Sequence, residues 1–261
     1  MSESLVVSIE NNVATVTLNR PEKHNSLTSE MMETFASVIN DLNSNKEVHV
    51  IVVTGAGVKS FCSGADLGGM SENNEQSILE YKKHVTKFKN CLLALHNSKK
   101  PTISAVNGYA LAGGFGLAAT CDITFAKESA TFGAPEINVG LWGMMISAPL
   151  IEIIGIKKTY ELFYTGKRIT AKEAKEMGLV NEVYADDELM DEVIAFAQDL
   201  AKRNPTALSI GKEAMQMIRD MDYEKSLNYL RDQVIILGET EDSKEGMKAF
   251  LEKRQPIWRG R

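Results

Sequence analysis

The sequence predicts an α/β protein of stacked β-β-α units followed by a helical C-terminal region. Two observations lead to this fold class. In the first two thirds of the chain, continuous apolar runs alternate with helical patterns; one such run is VHVIVVTG at 48–55, which is typical of a strand covered on both faces. After about Ile146 nearly every segment has a helical pattern. We therefore expect a mixed core over residues 1–190 and a helical region over residues 191–261.

The first elements follow from local patterns. Residues 5–9 and 13–18 are strand patterns, and Asn11 and Asn12 between them tolerate the positive φ of a tight hairpin. Thr28 can cap a helix whose apolar residues recur every 3.6 positions. That apolar face consists of Met31, Met32, Phe35, Val38, Ile39 and Leu42.

The later elements are predicted in the same way. A long polar helix is expected from about Glu75 to His96, and buried strands over 101–108 and 122–127. Gly166, Gly178 and Pro205 mark helix ends and a helix start. The C-terminal helices are expected at 157–164, 171–177, 187–202, 206–219, 223–238 and 241–253.

Composition narrows the class of protein. The 261 residues are 44% hydrophobic and 25% charged, as in ordinary globular proteins, and no apolar run approaches a membrane span. The net charge of −6, without a basic stripe, argues against a nucleic-acid partner. Three cysteines without CxxC spacing and four scattered histidines predict reduced thiols and no metal site. Without a signal-peptide pattern at the N-terminus, we expect a cytoplasmic protein with no membrane segment.

Two glycine-containing loops have the composition of sites that donate backbone amides. They are FCSGADL at 61–67 and LAGGFG at 111–116, the second opening a helix. Amides at a helix N-terminus are unpaired, and two of them aimed at one oxygen would stabilise the enolate of a thioester or ketone. Both loops are also compatible with ordinary tight turns. Gly116, one turn into the second helix, leaves no side chain at a position that could face a ligand.

Glu136 is the candidate acid–base residue. It lies in FGAPEINVGL at 132–141, where most neighbours are apolar. Loss of solvation raises the pKa of a carboxyl group and suits it to taking and returning a proton near neutral pH. Alternatively, Glu136 is a surface residue of a turn shaped by Pro135.

Six segments resemble the crotonase superfamily, also called the enoyl-CoA hydratase/isomerase family. In order, they are LNRPEKHNSL (18–27), SGADL (63–67), NGYALAGGFGLAATCD (107–122), FGAPEINVGL (132–141), TGKRITAKEAKEMGLVNEV (165–183) and AFLEKRQPIWRGR (249–261). The resemblance implies a spiral of β-β-α turns followed by a helical trimerisation region. It also implies an acyl-CoA thioester as substrate, a homotrimer or dimer of trimers, and no cofactor beyond the coenzyme A of the substrate.

The resemblance assigns roles to individual residues. The amides of Ala65 and Gly113 would bind the enolate oxygen. A further set would bind the substrate. The coenzyme A nucleotide would be lined by Lys23, His24, Asp66 and Leu67. Phe250 and Lys253 would reach coenzyme A from the C-terminal tail, often that of a neighbouring subunit. Trp142 and Met144 follow Glu136 and could form a wall of the acyl pocket, although core packing explains them equally well.

The residue at position 116 bears on the reaction. Family members that hydrate a double bond resemble this chain at Glu136 but carry a second glutamate where Gly116 stands. Family isomerases resemble it in having a carboxylate at the PE-like position and a small or apolar residue at the other. The stretch GLWGMM (140–145) also departs from the PGAGG-like sequence common in the hydratases.

The leading hypothesis is therefore an enoyl-CoA isomerase that converts 3-enoyl-CoA to 2-enoyl-CoA, with Glu136 as the proton shuttle and Gly116 next to the substrate. The alternatives are an enoyl-CoA hydratase, another enolate reaction such as decarboxylation or thioester hydrolysis, and a non-catalytic acyl-CoA-binding or RNA-binding member. A covalent mechanism through Cys62 or Ser63 is disfavoured because no histidine lies nearby in sequence.

Overall fold

The structure is a computed structural model that describes residues 4–66 and 77–261. It confirms the α/β class, with two sheets and a helical C-terminal region. The strands are β1 (Leu5–Glu10), β2 (Val13–Leu18), β3 (Val50–Gly55), β4 (Ser60–Cys62), β5 (Thr102–Val106), β6 (Tyr109–Leu111), β7 (Ile123–Lys127), β8 (Thr131–Gly133), β9 (Arg168–Thr170) and β10 (Glu182–Tyr184).

Nine α-helices lie in the described ranges. They are α1 (Ser29–Ser44), α2 (Ile78–His96), α3 (Gly113–Thr120), α4 (Ser147–Thr165), α5 (Ala171–Glu176), α6 (Leu189–Ala201), α7 (Pro205–Met217), α8 (Tyr223–Glu239) and α9 (Glu241–Leu251). Single 3₁₀ turns cover Pro21–Lys23, Pro135–Val139 and Ile218–Asp220. Among these helices, none is both long and apolar enough to cross a membrane.

The chain winds between the two sheets, as expected for a spiral of β-β-α turns. The large sheet has the order β1-β2-β3-β5-β7-β10, and the small sheet the order β4-β6-β8-β9. Three strands of the large sheet, β3, β5 and β7, are each followed in the chain by a strand of the small sheet, β4, β6 and β8 respectively. Neighbours are parallel except for β1 with β2 and β8 with β9.

Local signals in the first elements are confirmed. β1 and β2 form the predicted hairpin, and Asn11 and Asn12 at its tip have φ values of 50° and 64°. Thr28 caps α1, and its side-chain oxygen accepts a hydrogen bond of 3.1 Å from the Met31 amide. Of the predicted apolar face of α1, Val38 is only partly buried, and the other members are fully buried.

β3 separates two apolar clusters because successive strand residues point to opposite faces. Ile51 and Val53 pack into the main core together with α1, α2 and α3, whereas Val50 and Val52 pack against α6 on the other face. The predicted division between residues 190 and 191 thus falls inside α6, a helix whose buried face packs on the large sheet.

α4 begins earlier than the sequence predicts, at Ser147 instead of residue 157. Pro149 stands in its first turn, and Gly155 interrupts the helical geometry with φ 76° and ψ 160°. These two residues are helix breakers in a sequence reading, which explains the missed turns. The three-residue strands β4, β6, β8, β9 and β10 were also not predicted, since an alternating pattern cannot be recognised in so few residues.

Candidate active site

The loop that carries Ala65 is held rigidly against the segment at 24–27. Three backbone hydrogen bonds join them: Ser63 N to His24 O (3.1 Å), Leu27 N to Gly64 O (2.8 Å) and Asp66 N to Leu27 O (3.0 Å). Arg20 adds a side-chain connection, because its Nη1 donates to the Ser26 carbonyl at 2.7 Å and to the Asp66 carboxylate at 2.8 Å. This pairing spans two of the segments on which the family resemblance rests.

Asn25 connects the segment at 24–27 to the turn that precedes β4, from inside the protein. Its side chain is fully buried, and its Nδ2 donates hydrogen bonds to the Ser60 carbonyl at 2.8 Å and the Ala56 carbonyl at 3.0 Å. Its Oδ1 accepts a bond of 2.9 Å from the Arg20 amide. A buried amide with satisfied donors and acceptor rigidifies its surroundings, so the segment at 24–27, to which the Ala65 loop is hydrogen-bonded, is itself anchored.

The second loop turns through a strained residue. Ala112 joins β6 to α3 with φ 51° and ψ −125°, a conformation that L-residues with a side chain rarely adopt. Strain of this kind costs about 1–3 kcal/mol and is concentrated at functional sites. The Ala112 amide is bonded to the Gly133 carbonyl at 2.9 Å. The turn makes Gly113 the first residue of α3, where helix amides have no partner within the helix.

The two loops meet. A Cβ built on Gly64 would lie 3.1 Å from the Gly113 nitrogen and 2.8 Å from the Ala112 Cβ, and one built on Gly113 would lie 3.5 Å from the Gly64 Cα. Neither the Ala65 nor the Gly113 amide donates a hydrogen bond within the described residues. The structure therefore brings together the two backbone segments predicted to donate to one oxygen.

The close approach of α3 to the first loop depends on glycine at position 114. A Cβ there would lie 2.1 Å from the Cys62 carbonyl oxygen and 2.7 Å from its carbon, much closer than a side chain permits. From the sequence, the glycines of LAGGFG indicate only a loop that donates backbone amides. In the structure Gly114 also allows α3 to pack directly on β4, and this packing sets the distance between the two loops.

Glu136 lies half-buried in the 3₁₀ turn Pro135–Val139, which Gly140 ends with φ 77°. Its Oε2 atom is fully buried and has no hydrogen-bond partner among the described residues. Burial raises the pKa of this carboxyl group above its usual value, and a bond from its own backbone amide opposes the rise only in part. A buried, unpartnered carboxylate oxygen is unfavourable for stability, which is typical of a group kept for chemistry.

Ile146 occupies the space beside Gly116 where a side chain would lie. It was not among the site residues predicted from the sequence. A Cβ on Gly116 would lie 2.3 Å from Ile146 Cγ2 and 2.9 Å from its Cβ. Ile146 also reaches towards the glutamate: a Cβ on Gly143 would lie 2.9 Å from Ile146 Cδ1 and 3.2 Å from Glu136 Oε1. A sequence signal lay next to Ile146, since the preceding stretch GLWGMM (140–145) departs from the PGAGG-like pattern, but its consequence for Gly116 was not visible.

The remaining predicted substrate-binding residues lie at several places. Lys23 and His24 are exposed beside the first loop, and Leu67 lies outside the described residues. Trp142 is half-buried, with its ring edge-on to Phe163 at 5.3 Å. The other three are exposed: Met144 (72%) next to Gly143, Phe250 (82%) at the end of α9, and Lys253 just beyond it. Their roles stay predictions.

The cysteines are unpaired and buried, and burial raises the pKa of the Cys62 thiol to about 12. A thiol that stays protonated is a poor nucleophile, which agrees with a site built on backbone amides. Over residues 4–66 and 77–261, no group of three or more His, Cys, Asp or Glu side chains could hold a metal ion.

Comparison with known proteins identifies the family. The Enoyl-CoA hydratase/isomerase family model matches residues 8–261. The short-chain-enoyl-CoA hydratase of Clostridium acetobutylicum is 34% identical over 253 residues, which cover 97% of this chain and 96% of that protein. The 2,3-dehydroadipyl-CoA hydratase of Escherichia coli is 34% identical over 262 residues and the full length of both chains. A crystal structure of enoyl-CoA hydratase from Bacillus anthracis matches with a TM-score of 0.92 and 32% identity, covering 99% of this chain and 100% of that chain.

The chain therefore belongs to the enoyl-CoA hydratase/isomerase family, the crotonase superfamily, and is an enzyme of that family. The resemblance seen in the sequence is confirmed. An acyl-CoA thioester is the substrate class that follows from this membership.

Proposed function

We propose that the protein is an enoyl-CoA isomerase that converts a 3-enoyl-CoA to the conjugated 2-enoyl-CoA. The observation that supports this most is the setting of Glu136, whose Oε2 atom is buried without a partner among the described residues. By the family resemblance, Gly116 stands where hydratases of the family carry a second glutamate, and Ile146 packs against it. One carboxylate in apolar surroundings suits proton transfer between two carbons of one substrate.

In the proposed reaction, the thioester oxygen accepts hydrogen bonds from the amides of Ala65 and Gly113. These bonds make the C2 proton more acidic, because they stabilise the negative charge that develops on the oxygen. The Glu136 carboxylate removes the C2 proton and leaves a dienolate bound at the two amides. The protonated Glu136 then returns the proton to C4. The double bond now lies between C2 and C3, and Glu136 is again a carboxylate.

The raised pKa of Glu136 supports both halves of this cycle. A base whose pKa lies closer to neutral binds the C2 proton more firmly than an exposed carboxylate does, and it still releases the proton to the more basic dienolate carbon. Exclusion of water protects both the proton and the intermediate. Ile146, packed between Gly116 and Gly143, contributes an apolar surface at this place.

A second candidate is an enoyl-CoA hydratase, because the named relatives from Clostridium acetobutylicum and Escherichia coli are hydratases. In that reaction Glu136 would activate a water molecule and protonate C2 without the second glutamate. Loss of one positioned acid–base group lowers a rate by roughly 10²–10⁴-fold. We therefore expect hydration by this protein to be slow.

Assembly as a homotrimer or dimer of trimers is also part of the proposal. Three consecutive apolar residues of α8, Val234, Ile235 and Ile236, are exposed in the single chain, and α8 buries none of its residues. Consecutive helix residues point in different directions, so such a helix favours cover from another subunit. Phe250 and Lys253 would then contact coenzyme A across that interface. A cytoplasmic location stays a prediction.

The experiment that tests the reaction compares two substrates in deuterated buffer. Purified protein receives either a 3-enoyl-CoA or a 2-enoyl-CoA, and the products are followed by mass spectrometry and NMR. We expect conversion of the 3-enoyl substrate without 3-hydroxyacyl-CoA. Glu136→Gln should lower this turnover by roughly 10²–10⁴-fold, whereas the exposed Glu47→Gln should not change it. Rapid formation of 3-hydroxyacyl-CoA from the 2-enoyl substrate would favour the hydratase instead.

A further inference from the structure

We infer that Ile146 is a specificity-determining residue, which closes the position beside Gly116 to a second carboxylate and to the water that it would hold. The inference rests on the proposed function and deepens it. Position 116 alone is then not enough to explain the reaction, because the residue that excludes a side chain there, Ile146, comes from another part of the chain, just before α4.

Ile146 lies close both to the side-chain position of residue 116 and to Glu136. Towards α3, the Ile146 Cγ2 and Cβ atoms lie 2.3 and 2.9 Å from where a Gly116 Cβ would be. Towards the glutamate, the Ile146 Cδ1 atom and Glu136 Oε1 lie 2.9 and 3.2 Å from where a Gly143 Cβ would be. One side chain therefore fills the volume next to Gly116 and borders the volume next to the carboxylate.

Ile146 has little freedom to move away. It is only 2% exposed and is part of the main core cluster. It precedes the first residue of α4, and its carbonyl accepts a hydrogen bond of 3.3 Å from the Leu150 amide. Since the Ile146 Cβ itself is too close to a Cβ at position 116, no change of rotamer clears the space.

The same distances predict which substitution opens the position. The Ile146 Cα lies 3.6 Å from the Cβ that a side chain at 116 would have, which is an ordinary contact. Ile146→Gly therefore creates room for a glutamate at 116, whereas Ile146→Ala leaves a Cβ in the way. Glycine is tolerated at a helix N-cap, so Ile146→Gly should lose stability mainly because the packing of the isoleucine side chain is removed.

The decisive experiment measures hydration of 2-enoyl-CoA by Gly116→Glu, Ile146→Gly and the double variant Gly116→Glu/Ile146→Gly. The matched control is Gly116→Gln/Ile146→Gly, which has nearly the same volume but no carboxylate. We expect the double variant with glutamate to exceed its glutamine control by about 10²-fold, the effect of one positioned acid–base group. Gly116→Glu alone should gain no hydration. An equal gain in Gly116→Glu alone, or no gain in a folded double variant, overturns the inference.

Two further measurements keep the outcome decisive. If the double variant does not fold, Ile146→Ala is compared with a control variant, Leu150→Ala, at a buried residue of the first turn of α4. The measurement is the solvent deuterium incorporated per turnover of the 3-enoyl substrate. A rise in Ile146→Ala alone supports the inference, and equal values overturn it. If wild-type protein does not isomerise 3-enoyl-CoA, the proposed function fails, while the comparison of the glutamate and glutamine double variants still decides the role of Ile146.

Discussion

Replacement of Gly114 by alanine should damage both stability and catalysis, because this glycine sets the distance between the two amide loops. The new Cβ would lie 2.1 Å from the Cys62 carbonyl oxygen, whereas ordinary contacts begin at 3.4 Å. The obstacle is backbone, so α3 has to move away from β4 by about 1 Å. Overpacking of this kind costs about 1–3 kcal/mol. For a chain of this size, each kcal/mol lowers Tm by about 2–4 °C.

The catalytic effect follows from the same displacement. Gly113 is the first residue of α3, so a shift of the helix moves its amide relative to Ala65. A misplacement of about 1 Å can lower a rate on the order of 10²-fold. We therefore expect Gly114→Ala to lose about 2–12 °C in Tm and to turn over 3-enoyl-CoA far more slowly than wild type.

The control is another helical glycine with free space around it. A Cβ on Gly211, inside α7, would meet nothing within 4 Å. Gly211→Ala should raise the free energy of unfolding by about 0.8–1.0 kcal/mol, since alanine favours the helix, and should leave turnover unchanged. Thermal unfolding by circular dichroism and the substrate assay check both variants. Unfolding of Gly114→Ala at the wild-type temperature, together with wild-type turnover, would contradict a role for this glycine in setting the distance between the loops.

Two other predictions follow from the shifted pKa values. Burial raises the pKa of Glu136, so its contribution to stability is fully present below 4.5, its usual value, and is lost as pH rises through the folded-state pKa. Glu136→Gln should therefore gain stability over wild type as pH rises, in chemical denaturation measured across a pH series; a difference that stays constant with pH contradicts this. Burial also raises the pKa of all three cysteine thiols to about 12, so native protein should resist alkylation at neutral pH and react fully once unfolded, as mass spectrometry would detect. Fast labelling of the native protein would show that at least one thiol is accessible.

Many elements of the fold could be predicted from the sequence because their signals act over a few residues. Asn11 and Asn12 tolerate positive φ, and Thr28 needs only the amide three positions on, so the hairpin and the start of α1 were correct. The predicted start of α4 was wrong because Pro149 and Gly155 weaken the local helical signal. The helix forms there nevertheless, since tertiary packing overrides local propensity. Three-residue strands exist only through pairing with distant partners, and no local pattern indicates them.

The candidate site divides in the same way. Both amide loops and Glu136 could be nominated from local composition, since glycines next to a helix start and a carboxylate among apolar residues are visible in single segments. The strain at Ala112 could not be predicted, because an alanine gives no local signal for a positive φ. Gly116 was interpreted as a position left open, and the structure shows Ile146 packed against it.

The sequence by itself determined the class of the chain, the family and the residues from which a site could be built. Helix caps, turn residues and apolar periods are properties of a few neighbouring positions, and the family motifs are contiguous. Only the tertiary structure decided that Gly64 meets Gly113 and that Ile146 fills the space beside Gly116 and approaches Glu136. Those contacts join residues far apart in the chain, and close packing makes each depend on the volume of its neighbour, which no single segment contains.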